Sequence, residues 1–198
     1  MLDDGPVVEQ ARRGNEAAWR QLYDRHADLV FRLALRTVGE REAALDVVQE
    51  TYVRAARAID GFRGDASFRS WISRIAINEA RTWIRKTARR RESSLDVVPG
   101  QPDGAVPVDE VVARSDLAAR AVAFARTLPD RQRDAVLLRT TEGYSYREIA
   151  RMLGTSEGSV RVSYHHGIGK LREFLAGLDR PREHGGKRDE RIEGRRGG

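Results

Sequence analysis

The hydrophobic pattern of the chain is helical along most of its length. After a short helical lead-in up to about Gly14, Trp19, Leu22, Tyr23, His26, Leu29, Val30 and Leu33 recur at the spacing of one helix face, and Asn15 is placed to cap that helix. Gly39 interrupts the pattern. A second run, Glu40 to Ile59, puts Leu45, Val48, Tyr52, Ala56 and Ile59 on one face and Asp46, Gln49, Glu50, Val53 and Arg57 on another. Asp60-Gly61 is a stop signal. Ser67 is a good N-cap for a third run, from Phe68 to about Arg90.

That third run divides into two sides. Phe68, Trp71, Ile72, Ile75, Ala76 and Trp83 turn towards a core, and Glu79 turns the same way. Ser70, Arg74, Asn78, Arg81 and Arg85 share another side. Arginines at this spacing neutralise phosphates, and an asparagine among them offers a donor and an acceptor to a base edge. The bland alternative is a solvated face held by ion pairs. The carboxylate-and-amide face of the second helix is open in the same way: it is a solvated face or a docking surface for a basic partner.

From Glu92 to Glu110 the composition changes. ESSLDVVPGQPDGAVPVDE has three prolines, two glycines and no basic residue, which reads as a flexible acidic linker and a domain boundary. An Ala-rich amphipathic helix follows, from Val111 to Thr127. The next helix opens with Pro129 at its first position and buries Ala135, Val136 and Leu138. Then Ser145-x-x-Glu148 forms a capping box, Gly154 supplies a tight turn, and Thr155 or Ser156 caps a longer helix. Ala150, Gly154 and Val160 stand at the spacing of a helix-turn-helix: small residue at the crossing, glycine at the turn, valine seating the second helix. Val160, Tyr164, Ile168, Leu171 and Phe174 turn inward on that helix. Its opposite face carries Gly158, Arg161, Val162, His165, His166 and Gly169, with Ser159 at the edge. Arg161 and His165 suit purine acceptors, Val162 suits a thymine methyl, and Lys170 suits a phosphate. Residues 179–198 are rich in Gly, Arg and Glu and read as a disordered tail.

Composition narrows the classes. The 198 residues carry 36 Lys+Arg against 30 Asp+Glu, a net charge of +6, so the placement of charge says more than its sum. There is no cysteine, hence no disulfide and no thiol chemistry. The histidines show no metal spacing, and His165 and His166 diverge by about 100° on a helix, too far to chelate one ion. No paired carboxylates, nucleophile-base set or phosphate-cradling glycine loop points to an enzyme. No cofactor, metal or membrane insertion is expected. A cytoplasmic protein is.

Two stretches together carry a family resemblance. DVVQETYVRA followed by FRGDASFRSWISRIAIN resembles region 2 of bacterial RNA polymerase sigma factors of the extracytoplasmic-function group, in the sigma-70 family. LPDRQRDAVLLR followed by GYSYREIARMLGTSEGSVRV resembles their region 4. The resemblance implies an all-α fold of two small helical domains, residues 1–91 and 111–178, joined by the linker. It implies a non-catalytic specificity subunit that binds core RNA polymerase and promoter DNA, with an anti-sigma factor as a further partner. Asp46, Gln49 and Glu50 would dock on the beta-prime clamp helices, and region 4 on the beta flap. The segment from Phe62, Arg63 and Asp65 to Ser67 and Phe68 would capture a flipped base of the minus-ten element, Asn78 would read that element, and Arg74, Arg81 and Arg85 would hold its phosphates. Ser156, Ser159, Arg161, Val162, His165, His166 and Lys170 would face the minus-thirty-five duplex. The linker would thread near the RNA path. Ser163, His166 and Ile168 stand where many relatives have arginines, so weaker or altered minus-thirty-five recognition is expected. A stand-alone helix-turn-helix regulator, dimeric on a palindrome, is the alternative.

Overall fold

The computed structural model describes residues 3–93 and 112–178. Its elements are α1 (Gly5–Arg12), α2 (Glu16–Val38), α3 (Arg41–Ala58), a 3-10 turn (Ile59–Gly61), α4 (Phe68–Ser93), α5 (Val112–Thr127), α6 (Asp130–Thr140), α7 (Tyr146–Leu153) and α8 (Glu157–Leu178). Among the described residues all regular structure is helical. The expected linker beyond Ser93 and the expected tail lie outside those residues, and α4 runs two residues into the linker as drawn from sequence.

Local chemistry sets the helix ends. Asn15 Oδ1 accepts from the Ala18 N–H at 3.2 Å, and Ser67 Oγ from the Ser70 N–H at 3.2 Å. The capping box is complete: Ser145 Oγ accepts from the Glu148 N–H, and the Glu148 carboxylate accepts from the Ser145 N–H at 2.8 Å. Burial alone would raise the Glu148 carboxyl. Its bonds from Ser145, with Arg69 and Arg151 nearby, outweigh that and leave it below its ordinary value. Gly154 ends α7 at φ 61°, a conformation that glycine adopts without strain. Ser156, not Thr155, caps α8 by accepting from the Ser159 N–H at 3.1 Å. Pro129 is the N-cap of α6 rather than its first helical residue.

Two buried faces differ from the sequence pattern. α3 buries Ala43, Ala44, Val47, Val48, Thr51 and Ala55, whereas Leu45 is 44% exposed. The helix is wedged between α2 and α4. Small side chains fit that seam, and the larger ones are turned outward. α4 buries Phe68, Ile72, Ser73, Ala76, Ile77, Glu79 and Ala80, while Trp71, Ile75 and Trp83 are half-buried. It packs α2 and α3 on one side and α7 on another, so it buries more than one stripe.

The core has two main parts. One joins Leu22, Val30, Val48, Ala55, Phe62, Phe68, Ile72 and Ala76 within the first helix group. The other joins Leu29, Leu33 and Ile77 to Ala135, Leu138, Tyr144, Ile149, Ala150, Met152 and Val160. The second cluster is shared by α2 and α4 with α6 to α8, so the two groups meet through apolar contact.

Candidate nucleic-acid interface

The loop between α3 and α4 is supported from beneath by aromatic rings. Phe62 and Phe68 are buried and meet edge-on at 6.1 Å between centroids, and Trp71 lies 5.3 and 5.5 Å from them. Arg63, Asp65 and Ser67 are exposed above. Beside the loop opens a cavity of about 720 Å³, lined among others by Arg25, His26, Phe62, Ser67 and Phe68. Asp4 holds its rim: the carboxylate accepts from Arg25 at 2.9 Å and lies 2.8 Å from His26 Nε2. Phe62 and Phe68 therefore support the loop from within, and its exposed side chains are polar.

Along α4 the expected arginine stripe is split. Arg74, Asn78 and Arg85 are exposed. Ser70 is buried. Arg81 is not free for DNA here: its Nε donates to Asp134 Oδ2 on α6 at 2.7 Å, with Nη2 on the same oxygen. Burial pushes the Asp134 carboxyl up, against the pull of Arg81 and Arg133.

Asp46, Gln49 and Glu50 are exposed on α3, as a docking face requires. They share it with apolar groups: Val53, expected there, at 39% exposed, and Leu45, expected on the buried face, at 44%, with Tyr23 at 46% nearby on α2 against Tyr52. Arg54 bridges Glu50 at 3.1 Å and the buried Glu79 at 3.0 Å. Burial raises the Glu79 carboxyl, and Arg54 opposes the shift.

Ser156, which caps α8, and Ser159, Arg161, Val162, His165, His166 and Lys170 on it are all exposed. Arg161 is held in place: Glu157 accepts from it at 2.8 Å, and its guanidinium lies 4.9 Å from the Tyr146 ring centroid. Arg139 lies at the same distance from that ring. Tyr146 and Glu157 escaped the sequence pattern because their roles depend on where Arg161 lands.

The contact between the two helix groups was also illegible in sequence. Glu142, in the turn after α6, accepts from Arg32, Arg36 and Arg69. Arg69 lies 4.2 Å over the Tyr144 ring, and the Tyr144 hydroxyl is 2.9 Å from Ser73 Oγ. Burial raises that hydroxyl. Arg126 donates to the Leu35 and Arg36 carbonyls at the end of α2, where the helix dipole favours a cation. Among the described residues no group of His, Asp or Glu could hold a metal ion, and no helix is long and apolar enough to cross a membrane.

The chain is similar to known proteins in sequence and fold. Residues 22–90 match the family model of sigma-70 region 2, and residues 121–171 that of sigma-70 region 4. The chain is 35% identical over 170 residues to the ECF RNA polymerase sigma factor SigE of Mycolicibacterium smegmatis, covering 82% of this chain and 65% of that one. It is 33% identical over 169 residues to the ECF RNA polymerase sigma-E factor of Escherichia coli K12, covering 81% and 88%. Among solved structures, CnrH in complex with the cytosolic domain of CnrY aligns with TM-score 0.66 at 29% identity, covering 88% of this chain and 97% of that one. The sigma factor RpoE of Bartonella quintana, bound to the anti-sigma factor NepR, shares the fold with TM-score 0.62 at 24% identity, covering 81% and 98%.

Proposed function

This chain belongs to the extracytoplasmic-function group of RNA polymerase sigma factors, and from that premise we propose that it binds core polymerase and directs initiation at a two-part promoter. α1 to α4 form region 2 and α5 to α8 form region 4. The Asp46–Gln49–Glu50 face, with Leu45 and Val53, docks on the beta-prime clamp helices. Region 4 reaches the beta flap. The loop from Arg63 to Ser67 and the α4 residues Arg74 and Asn78 engage the minus-ten strand. Arg161, Val162 and His165 read the minus-thirty-five duplex. An anti-sigma factor is the expected antagonist, and the chain itself is non-catalytic. The site of action is the cell interior, where polymerase works.

The observation that carries this is the pairing of two surfaces in one chain: an exposed polar and asparagine-bearing face on α4 beside an aromatic-supported loop, and a helix-turn-helix whose recognition face is free. A stand-alone regulator needs only the second. Footprinting separates them. Holoenzyme should protect an asymmetric site in two blocks, and the chain alone should protect none. Protection of a palindrome by the chain without polymerase would establish the regulator instead.

A further inference from the structure

Three arginines from two helices converge on one carboxylate. Arg32 and Arg36 stand one turn apart on α2, and Arg69 lies in the first turn of α4. They reach Glu142 at 3.4, 3.0 and 3.5 Å, and the Glu142 side chain is 3% exposed. One negative charge thus faces three positive ones, and planar guanidiniums pair with the two non-bridging oxygens of a singly charged phosphodiester as they do with the two oxygens of a carboxylate.

The setting points to the ligand. Arg32 and Arg69 also line the cavity beside Phe62 and Ser67. Glu142 and Asp134 both come from the C-terminal helix group and both neutralise arginines of the N-terminal one. The same group reaches over the loop itself: Arg151 donates to the Asp65 carbonyl at 3.4 Å, and Glu148 and Met152 wall a cleft of about 390 Å³ with Ser67 and Arg74. The recognition face of α8 is left exposed.

We infer that Arg32, Arg36 and Arg69 form a binding site for a backbone phosphate of single-stranded DNA, and that Glu142 occupies it as a phosphate mimic while the two helix groups are closed on each other, an inference that rests on the region 2 assignment above. Asp134 does the same to Arg81. DNA and the C-terminal group therefore compete for one face of α2 and α4. Closure masks these four arginines of the minus-ten side and leaves Arg74, Asn78 and the minus-thirty-five side open. Phosphate contact is independent of sequence, so the site is testable without knowing the promoter.

The probe is a fluorescein-labelled 20-nucleotide oligothymidylate, followed by anisotropy over a salt series with the full chain. Glu142→Gln with Asp134→Asn should bind about tenfold tighter than the unaltered chain at low salt, with a log–log salt slope steeper by about 0.7 for each phosphate newly neutralised. Adding Arg32→Gln, Arg36→Gln, Arg69→Gln and Arg81→Gln to that pair should return affinity and slope to or below the starting values. Binding no tighter in the first variant, or a gain that survives loss of the four arginines, would overturn the inference. Should circular dichroism show the pair unfolded, Glu142→Gln alone is read in its place, with an expected gain of about threefold from the same counterion release. No gain there would be equally fatal. Failure here leaves polymerase-dependent initiation untouched. Failure of initiation with these binding changes intact would remove the sigma assignment and keep the phosphate site.

Discussion

Gly167 and Gly169 sit two residues apart on α8, and alanine at each should act with opposite sign. Gly167 is buried where α8 crosses α6. A Cβ there would lie 2.7 Å from Val136 Cγ2, 3.2 Å from the Gln132 carbonyl oxygen and 3.3 Å from Gln132 Cβ. Carbon pairs prefer about 3.5–4.0 Å. Val136 is 2% exposed and β-branched, so it has no free rotamer to retreat into. α8 must therefore lift from α6 by the better part of an ångström. Overpacking of this kind costs about 1–3 kcal/mol. Helix propensity returns about 1 kcal/mol, because glycine is that much worse than alanine in a helix interior. Gly167→Ala should be destabilised by about 1 kcal/mol, a fall in Tm of roughly 2–4 °C for a chain of this length. At Gly169 a Cβ meets nothing within 4 Å. Only the propensity gain remains, so Gly169→Ala should gain up to about 1 kcal/mol. Urea unfolding with unchanged m-values reads both shifts against the unaltered chain. Equal stabilisation by the two alanines would refute the close α6–α8 crossing, and with it the pose of the recognition helix.

Further outcomes follow from the charged and capping groups. Ser145→Ala removes one arm of the capping box and should cost about 1 kcal/mol at neutral pH. Because the Glu148 carboxyl titrates below its ordinary value of 4.5, its stabilisation is present above that pH and is lost as pH falls through the lower folded-state value. The gap between Ser145→Ala and the unaltered chain should accordingly narrow in acid unfolding below 4.5. A constant gap would show that Glu148 is not held by Ser145. The Arg54–Glu79 pair should be asymmetric. Arg54→Gln strands a buried carboxylate and should cost about 1 kcal/mol, while Glu79→Gln, which removes a group whose ionisation burial already disfavours, should be near neutral by thermal melts. The reverse order would mean that Glu79 is stabilised by more than Arg54. Asn78→Ala, at an exposed α4 position, should slow open-complex formation severalfold while leaving core-polymerase affinity unchanged. Equal loss of both would move Asn78 from the DNA side to the polymerase side.

The helix ends were legible in sequence because caps are local: Asn15, Ser67, the Ser145–Glu148 pair and Gly154 each act on atoms within four residues of themselves. The helix-turn-helix was legible for the same reason. The buried face of α3 was not, because hydrophobic size pointed to Leu45 while the narrow seam between α2 and α4 selected alanines and Thr51. The contact between the helix groups left no periodic trace at all. Its partners are separated by 53 residues for Arg81 and Asp134 and by 106 for Arg36 and Glu142. Nothing in the spacing of either segment marks them as a pair, so Arg81 read as one more stripe arginine. Phe62 and Phe68 read as base contacts for a related reason: an aromatic beside a loop carries no sign of whether it faces outward or supports the loop from below.

The most direct measurement is run-off transcription with purified core polymerase on a library of genomic fragments, with and without this chain. Initiation at defined start sites only when the chain is added, and its loss with Asn78→Ala while the holoenzyme still assembles, is the expected result. An equal transcript pattern with and without the chain, across every fragment, would contradict its role as a sigma factor.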